Sequence, residues 1–138
     1  MSRTRFLSTL LAVTMVLAAA TGVGAAETFK VGVVGPRTGP VATYGLSVIN
    51  AVTLAVEELN AAGGVLGRQI ELIVEDNKAD ATETNNAFRK LISRDQVHAI
   101  IGAVVTANSI VGAQVAQMMK VPMITPTSTA EKVTQEGD

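Results

Sequence analysis

The strongest constraint on the fold is the alternation of short, continuously apolar runs with longer segments of helical periodicity. Val31-Gly-Val-Val-Gly-Pro-Arg-Thr-Gly-Pro-Val-Ala-Thr-Tyr-Gly45 carries an apolar strand, Phe29–Val34, into a Gly/Pro-rich loop with one aromatic residue. Val48, Val52, Ala55 and Leu59 then recur at i, i+4, i+7 and i+11, widened by Ile49 and Val56, with Glu57 and Glu58 toward the other side. Gly63-Gly64 stops that helix, because glycine takes the left-handed conformation cheaply. Ile70–Glu75 is a second apolar strand. Runs without a period-2 pattern are what a parallel strand buried on both faces requires, so residues 29–76 read as a βαβ unit.

The alternation continues. Asp80 with Glu83 three residues on predicts a capping box, and the helix behind it buries Ala87, Phe88, Leu91 and Ile92. Val97–Ile101 is the third strand, a third helix runs from near Asn108-Ser109 to about Met119, and Val121–Thr125 is the fourth strand. Pro122 is tolerable only near the start of that strand. Met118, Met119 and Met123 are expected as core filler. The chain shows no internal repeat or low-complexity segment. The fold class is α/β, a parallel sheet with helices on both faces and right-handed crossovers.

Residues 1–26 read as an address rather than as structure. Arg3 and Arg5 form a positive n-region, Phe6–Ala20 is mostly apolar, and Gly24-Ala25-Ala26 offers small residues for cleavage. The apolar run is shorter than the roughly 20 residues that span a bilayer. Thr4 separates the arginines, so no twin-arginine pattern occurs, and no Cys follows for lipid attachment. A cleavable signal peptide predicts a periplasmic protein beginning at Glu27. The whole chain lacks Cys, which removes disulfides and thiol catalysis. Without the leader, nine basic residues stand against twelve acidic ones, which argues against nucleic acid or an anionic membrane as partner.

Ligands in such sheets sit beyond the carboxyl ends of the strands. The candidate loops are Gly35–Gly45, Asn77–Asp80, Gly102–Asn108 and Pro126–Thr129. They are rich in Gly, Thr, Ser and Asn, with few titratable groups: a hydrogen-bonding surface rather than a catalytic one. Thr106, Asn108 and Ser109 sit where the third helix begins, where free N–H groups favour an anion. The alternative is that Asn108 or Ser109 is simply an N-cap. Gly32, Gly35 and Gly39 have the spacing G-x-x-G-x-x-x-G rather than a dinucleotide fingerprint, and no Walker-type motif occurs. His98 lies in an apolar strand, as a packed or edge residue. Glu75 and Asp76 are adjacent on a strand and point to opposite faces, so they are no carboxylate pair. Asp76 and Asp80 lack further ligands for a metal, and a capping role suits them better. No catalytic residue, metal site or cofactor is expected.

Gly35-Pro-Arg-Thr-Gly-Pro-Val-Ala-Thr-Tyr-Gly45, Asn60-Ala-Ala-Gly-Gly-Val-Leu-Gly-Arg68, Val74-Glu-Asp-Asn77, Ile101-Gly102 and Met123-Ile-Thr-Pro126 together carry a resemblance. The chain resembles the periplasmic branched-chain amino acid (Leu/Ile/Val) binding proteins, the solute receptors of ABC importers, over residues 28–138. The resemblance implies the first lobe of a type I periplasmic binding protein fold, with residues 27–138 forming its N-terminal part and the second lobe absent. It implies four ligand contacts. Thr106 would place its hydroxyl on the ligand α-carboxylate, Thr127 its backbone carbonyl on the α-ammonium, Thr129 would engage the head group, and Tyr44 would line the side-chain pocket. It implies an amino acid ligand, an ABC importer permease as partner, and a monomer when full length. Two features depart from the family. Ala79 and Val105 occupy the positions of a disulfide in the best-known members, and the serine-rich run after the third strand is here Thr106-Ala107-Asn108-Ser109. A sensory or regulatory amide- or urea-binding domain of the same fold, and a secreted α/β enzyme, are the alternative functions.

Overall fold

The structure is a computed structural model and describes residues 27–135. The expected leader lies outside the described residues. Strand β1 (Phe29–Gly35) leads to helix α1 (Ala42–Ala61), β2 (Ile70–Asp76), α2 (Ala81–Ser93), β3 (Ala99–Gly102), α3 (Thr106–Met119), β4 (Met123–Ile124) and a short α4 (Lys132–Gln135). The strands form one parallel sheet in the order β2-β1-β3-β4. Alternate residues of β1 face opposite sides. A side-chain carbon on Gly32 would meet Leu91 of α2, and one on Gly35 would meet Gly45 of α1. Helices therefore cover both faces, as crossovers of one hand that run in opposite directions, from β1 to β2 and from β2 back past β1 to β3, require.

The core lies between the sheet, α2 and α3, where Val34, Phe88, Leu91, Ile100 and Val115 are almost wholly buried. The tip of the Phe88 ring meets α3 at Gly112, where an added methyl carbon would stand 2.4 Å from its Cζ. Met119 and Met123 pack against this core as expected, but Met118 is 61% exposed.

The buried stripe of α1 is rotated from the expected one. Gly45 and Ile49 are its buried residues, Val52 and Val56 are half-buried, and Ala55 and Leu59 face solvent. Two contacts fix this rotation. A Cβ on Gly45 would stand 2.0 Å from the Pro36 carbonyl oxygen, so the helix backs directly onto the first loop there. At the other end, the Asn60 side chain accepts from the Ile70 N–H at 2.7 Å and donates to the Ile70 carbonyl at 2.9 Å. These polar and backbone contacts outweigh the apolar count. Gly64, at φ +79°, closes the helix end as predicted, its N–H donating to the Leu59 carbonyl at 2.8 Å.

Three boundaries differ from expectation. β3 begins at Ala99, because the Val97 N–H donates to the Leu91 carbonyl at the end of α2. β4 is only Met123–Ile124: Val121 donates to the Ala116 carbonyl, Pro122 has no N–H, and the Thr125 side chain turns to the Ala103 carbonyl. α3 begins at Thr106, with Val105 at its N-cap and no side-chain cap. Asn108 and Ser109 lie inside its first turn and are not caps. Asp80 does cap α2, accepting from the Glu83 N–H at 2.9 Å. Glu83 does not reciprocate, because its carboxylate takes Lys78 Nζ at 3.1 Å.

Candidate functional site

From β1 the chain steps to β2 on one side, whereas β3 and β4 lie on the other. The carboxyl ends of β1 and β3 thus flank a topological switch point, where crossovers diverge and leave a crevice. Gly35 ends β1 beside it. A Cβ there would lie 3.3 Å from Val104 Cγ2 and 3.7 Å from Gly45 Cα, so the loop after β3 and the start of α1 meet across this residue.

The first loop is latched by Asp76. This carboxylate accepts the Arg37 N–H at 2.8 Å, the Thr38 hydroxyl at 2.8 Å and the Lys78 N–H at 2.9 Å. Burial pushes the Asp76 carboxyl up, but the hydrogen bonds from Arg37, Lys78 and Thr38 together outweigh it and hold the group below its ordinary value. Its neighbour Glu75 points the other way, to Lys90 Nζ at 2.5 Å. Asp76→Ala should cost about 1–2 kcal/mol of stability at neutral pH through lost charge-assisted hydrogen bonds. A depressed folded value means this contribution is full above the unfolded carboxylate range, about 3.9, and is lost as pH falls through the lower folded value. Denaturant titrations of both proteins from pH 7 to pH 2.5 should therefore show a constant gap down to about pH 5 that narrows only in stronger acid. A gap that closes above pH 5 would contradict the latch.

The loop after β3 rests on buried polar side chains. Asn108 Nδ2 donates to Thr84 Oγ1 at 2.8 Å, Asn77 Nδ2 donates to the same oxygen at 3.0 Å, and Thr84 donates to the Asp80 carbonyl at 2.6 Å. Ser109, also fully buried, donates to the Ala103 carbonyl at 2.6 Å. The Thr127 hydroxyl donates to the Val104 carbonyl at 2.6 Å, which draws the loop after β4 onto the loop after β3.

The four residues expected to contact ligand all fall at this end of the sheet. Thr106 is the first residue of α3 and half-buried, and its hydroxyl bonds to no described side chain or backbone group. With no side-chain cap, the first turn of α3 keeps its N–H groups available to an anion. Thr127 is brought next to this helix start, with its hydroxyl committed to Val104 and its own carbonyl left for other partners. Thr129 follows on the same loop and is exposed. Tyr44 stands in the first turn of α1 and is 69% exposed; the next residue, Gly45, meets Gly35, which in turn meets Val104.

Sequence reasoning missed the latch role of Asp76 and the joining role of Ser109, Thr125 and Ser128. A lone acid ending a strand beside a Gly/Pro loop is the one trace of the former. His98 lies at the opposite end of the sheet, exposed, stacked on Phe29 with ring centroids 4.7 Å apart and accepting the Lys30 N–H at Nδ1 at 3.1 Å. A groove of about 480 Å³ runs along the β4 side, lined by Ala113, Ala116, Val121, Met123 and Val133. Gln117, Thr125 and Thr134 are its polar lining residues, and the opening turn of α3 is not part of it, unlike the crevice.

The periplasmic binding protein family model matches residues 28–137. A leucine-, isoleucine-, valine-, threonine- and alanine-binding protein of Pseudomonas aeruginosa is 34% identical over 113 residues, covering 82% of this chain and 30% of the relative. Among solved structures, the branched-chain amino acid transporter substrate binding protein LivJ from Streptococcus pneumoniae, in complex with isoleucine, superposes with a TM-score of 0.78. It is 32% identical, over 80% of this chain and 32% of that one. A solute binding protein of an ABC transporter from Rhodopseudomonas palustris, in complex with 3,4-dihydroxybenzoic acid, gives a TM-score of 0.74 at 32% identity, over 80% of this chain and 30% of that one. The chain spans about 30% of the length of the curated relatives it matches. Its parallel sheet is that of the first lobe of type I periplasmic binding proteins, and the chain belongs to the periplasmic binding protein family.

Proposed function

We propose that this chain is the part of an extracytoplasmic receptor that captures the head group of a branched-chain or related amino acid for ABC-type import. One observation carries this reading: α3 opens at the switch-point crevice with an unengaged Thr106 hydroxyl and no side-chain cap, directly beside Thr127. A carboxylate satisfies that hydroxyl and the positive end of the helix at once. The carbonyl of Thr127 and the residue Thr129 then face the ammonium, and Tyr44 borders the side chain. The Pseudomonas aeruginosa relative is named for binding leucine, isoleucine, valine, threonine and alanine, and the Streptococcus pneumoniae structure holds isoleucine, which supports the class. The dihydroxybenzoate complex favours a second reading, an aromatic acid, which keeps the same carboxylate contact and drops the ammonium. Enclosure would come from a second lobe that closes by hinge motion, and delivery from contact with a permease. A thermal-shift screen of the full-length protein against amino acids, amides, urea and hydroxybenzoates decides between them. Stabilisation by leucine, isoleucine or valine is expected. Response to urea or amides alone would favour a sensory domain, and no response to any carboxylate would end the proposal.

Export is the second element of the reading. Cleavage after Ala26 should leave Glu27 as the N-terminus of periplasmic material, read by intact-mass spectrometry. Retention of Met1 in a membrane fraction would contradict it.

A further inference from the structure

Three hydroxyls tie the loop after β3 to the loop after β4. Ser109 Oγ donates to the Ala103 carbonyl at 2.6 Å, and Ser128 Oγ donates to Ser109 Oγ at 2.6 Å. Thr125 Oγ1 donates to the same Ala103 carbonyl at 2.9 Å, and the Ser128 N–H donates to Thr125 Oγ1 at 3.4 Å. In this arrangement each hydroxyl proton is used once and the bonds close into a ring. Bonds in such a network polarise one another, and the buried Ala103 carbonyl accepts from a hydroxyl of each loop. The fourth strut is the Thr127 hydroxyl on the Val104 carbonyl at 2.6 Å.

The place of the ring in the chain matters more than its strength. Ser109 is three residues beyond Thr106 on the first turn of α3, and Ser128 stands between Thr127 and Thr129. These two segments belong to different βα connections, with the rest of α3 and the whole of β4 between them. Non-covalent bonds alone set their separation. Resting on the amino acid reading above, we infer that Ser109, Thr125 and Ser128 are positioning residues that fix the spacing between the carboxylate holder at Thr106 and the ammonium holders at Thr127 and Thr129. That spacing selects α-amino acids over isomers whose amine sits one carbon farther from the carboxylate. A misplacement of about 1 Å is enough to lose a well-oriented polar contact.

The test uses the full-length protein, its Ser109→Ala and Ser128→Ala variants, and two isomeric probes, L-leucine and 3-amino-4-methylpentanoate. Calorimetry should show that either variant narrows the preference for L-leucine by about tenfold, the worth of one hydrogen bond. A brace that only stabilises the fold would lower the melting temperature and leave the affinity ratio as in the wild type, which would overturn the inference. Ser128 is half-buried on a loop, so its variant serves where Ser109→Ala folds poorly. Amide hydrogen exchange without ligand is the independent arm. Exchange at Ser128 and Thr129 should rise at least about fivefold in both variants while α2 is unchanged. Should the wild type bind neither probe, the amino acid reading fails on its own. Unchanged exchange would then still refute the brace, and raised exchange would support it for whatever ligand these loops hold.

Discussion

Thr106→Ala in the full-length protein is expected to weaken binding of L-isoleucine about 10- to 150-fold. Thr106 is half-buried at the start of α3, its hydroxyl bonds to nothing else among the described residues, and the proposed site gives it a ligand carboxylate as partner. A hydrogen bond to a charged group contributes about 1.5–3 kcal/mol, and about 1.4 kcal/mol corresponds to a factor of ten. Thr106→Ser keeps the oxygen and should cost far less. Because the hydroxyl supports no neighbour, the melting temperature of either variant should stay close to that of the wild type. Calorimetry that finds the alanine variant unchanged in affinity would remove Thr106 from the site.

Phe88→Ala is expected to have the largest effect on stability, about 3–5 kcal/mol. Phe88 is wholly buried between the sheet and α3, with its ring against the backbone of Gly112. Truncation removes the transfer energy of the ring and leaves a cavity that a parallel sheet and two helices cannot collapse into. A loss of this size is a large share of the about 5–15 kcal/mol that ordinary domains possess. Leu66→Ala is the matched control: Leu66 is 97% exposed, and its loss should stay within about 0.5 kcal/mol. Urea denaturation followed by circular dichroism compares the two. A Phe88 variant no less stable than the Leu66 variant would mean that this face of the sheet is not the core.

The order of elements was legible in the chain because β1 and β3 are buried and α2 has a clean apolar face. Gly63-Gly64 and Asp80 marked their helix ends by conformational chemistry that acts locally. The rotation of α1 was not legible, since it depends on Gly45 meeting Pro36 and on Asn60 meeting Ile70, contacts that exist only after folding. β4 is short for a similar reason: Thr125 has the β-branched side chain of a strand residue, yet its hydroxyl is drawn to Ala103. The expected ligand residues came from the resemblance and fell on loops that the sheet argument had already singled out. What spacing alone left open was the helix start. Asn108 and Ser109 look like caps in a linear reading, but burial turns them inward to Thr84 and to Ala103, and leaves Thr106 at the open end.

The proposed ligand site lies at the ends of β1 and β3 rather than in the groove beside β4. Amide-resolved NMR titration of the full-length protein with L-isoleucine tests it most directly. Saturable shifts are expected at Thr106, Ala107, Thr127 and Thr129. Shifts confined to Ala113, Ala116, Val121 and Met123 would contradict it.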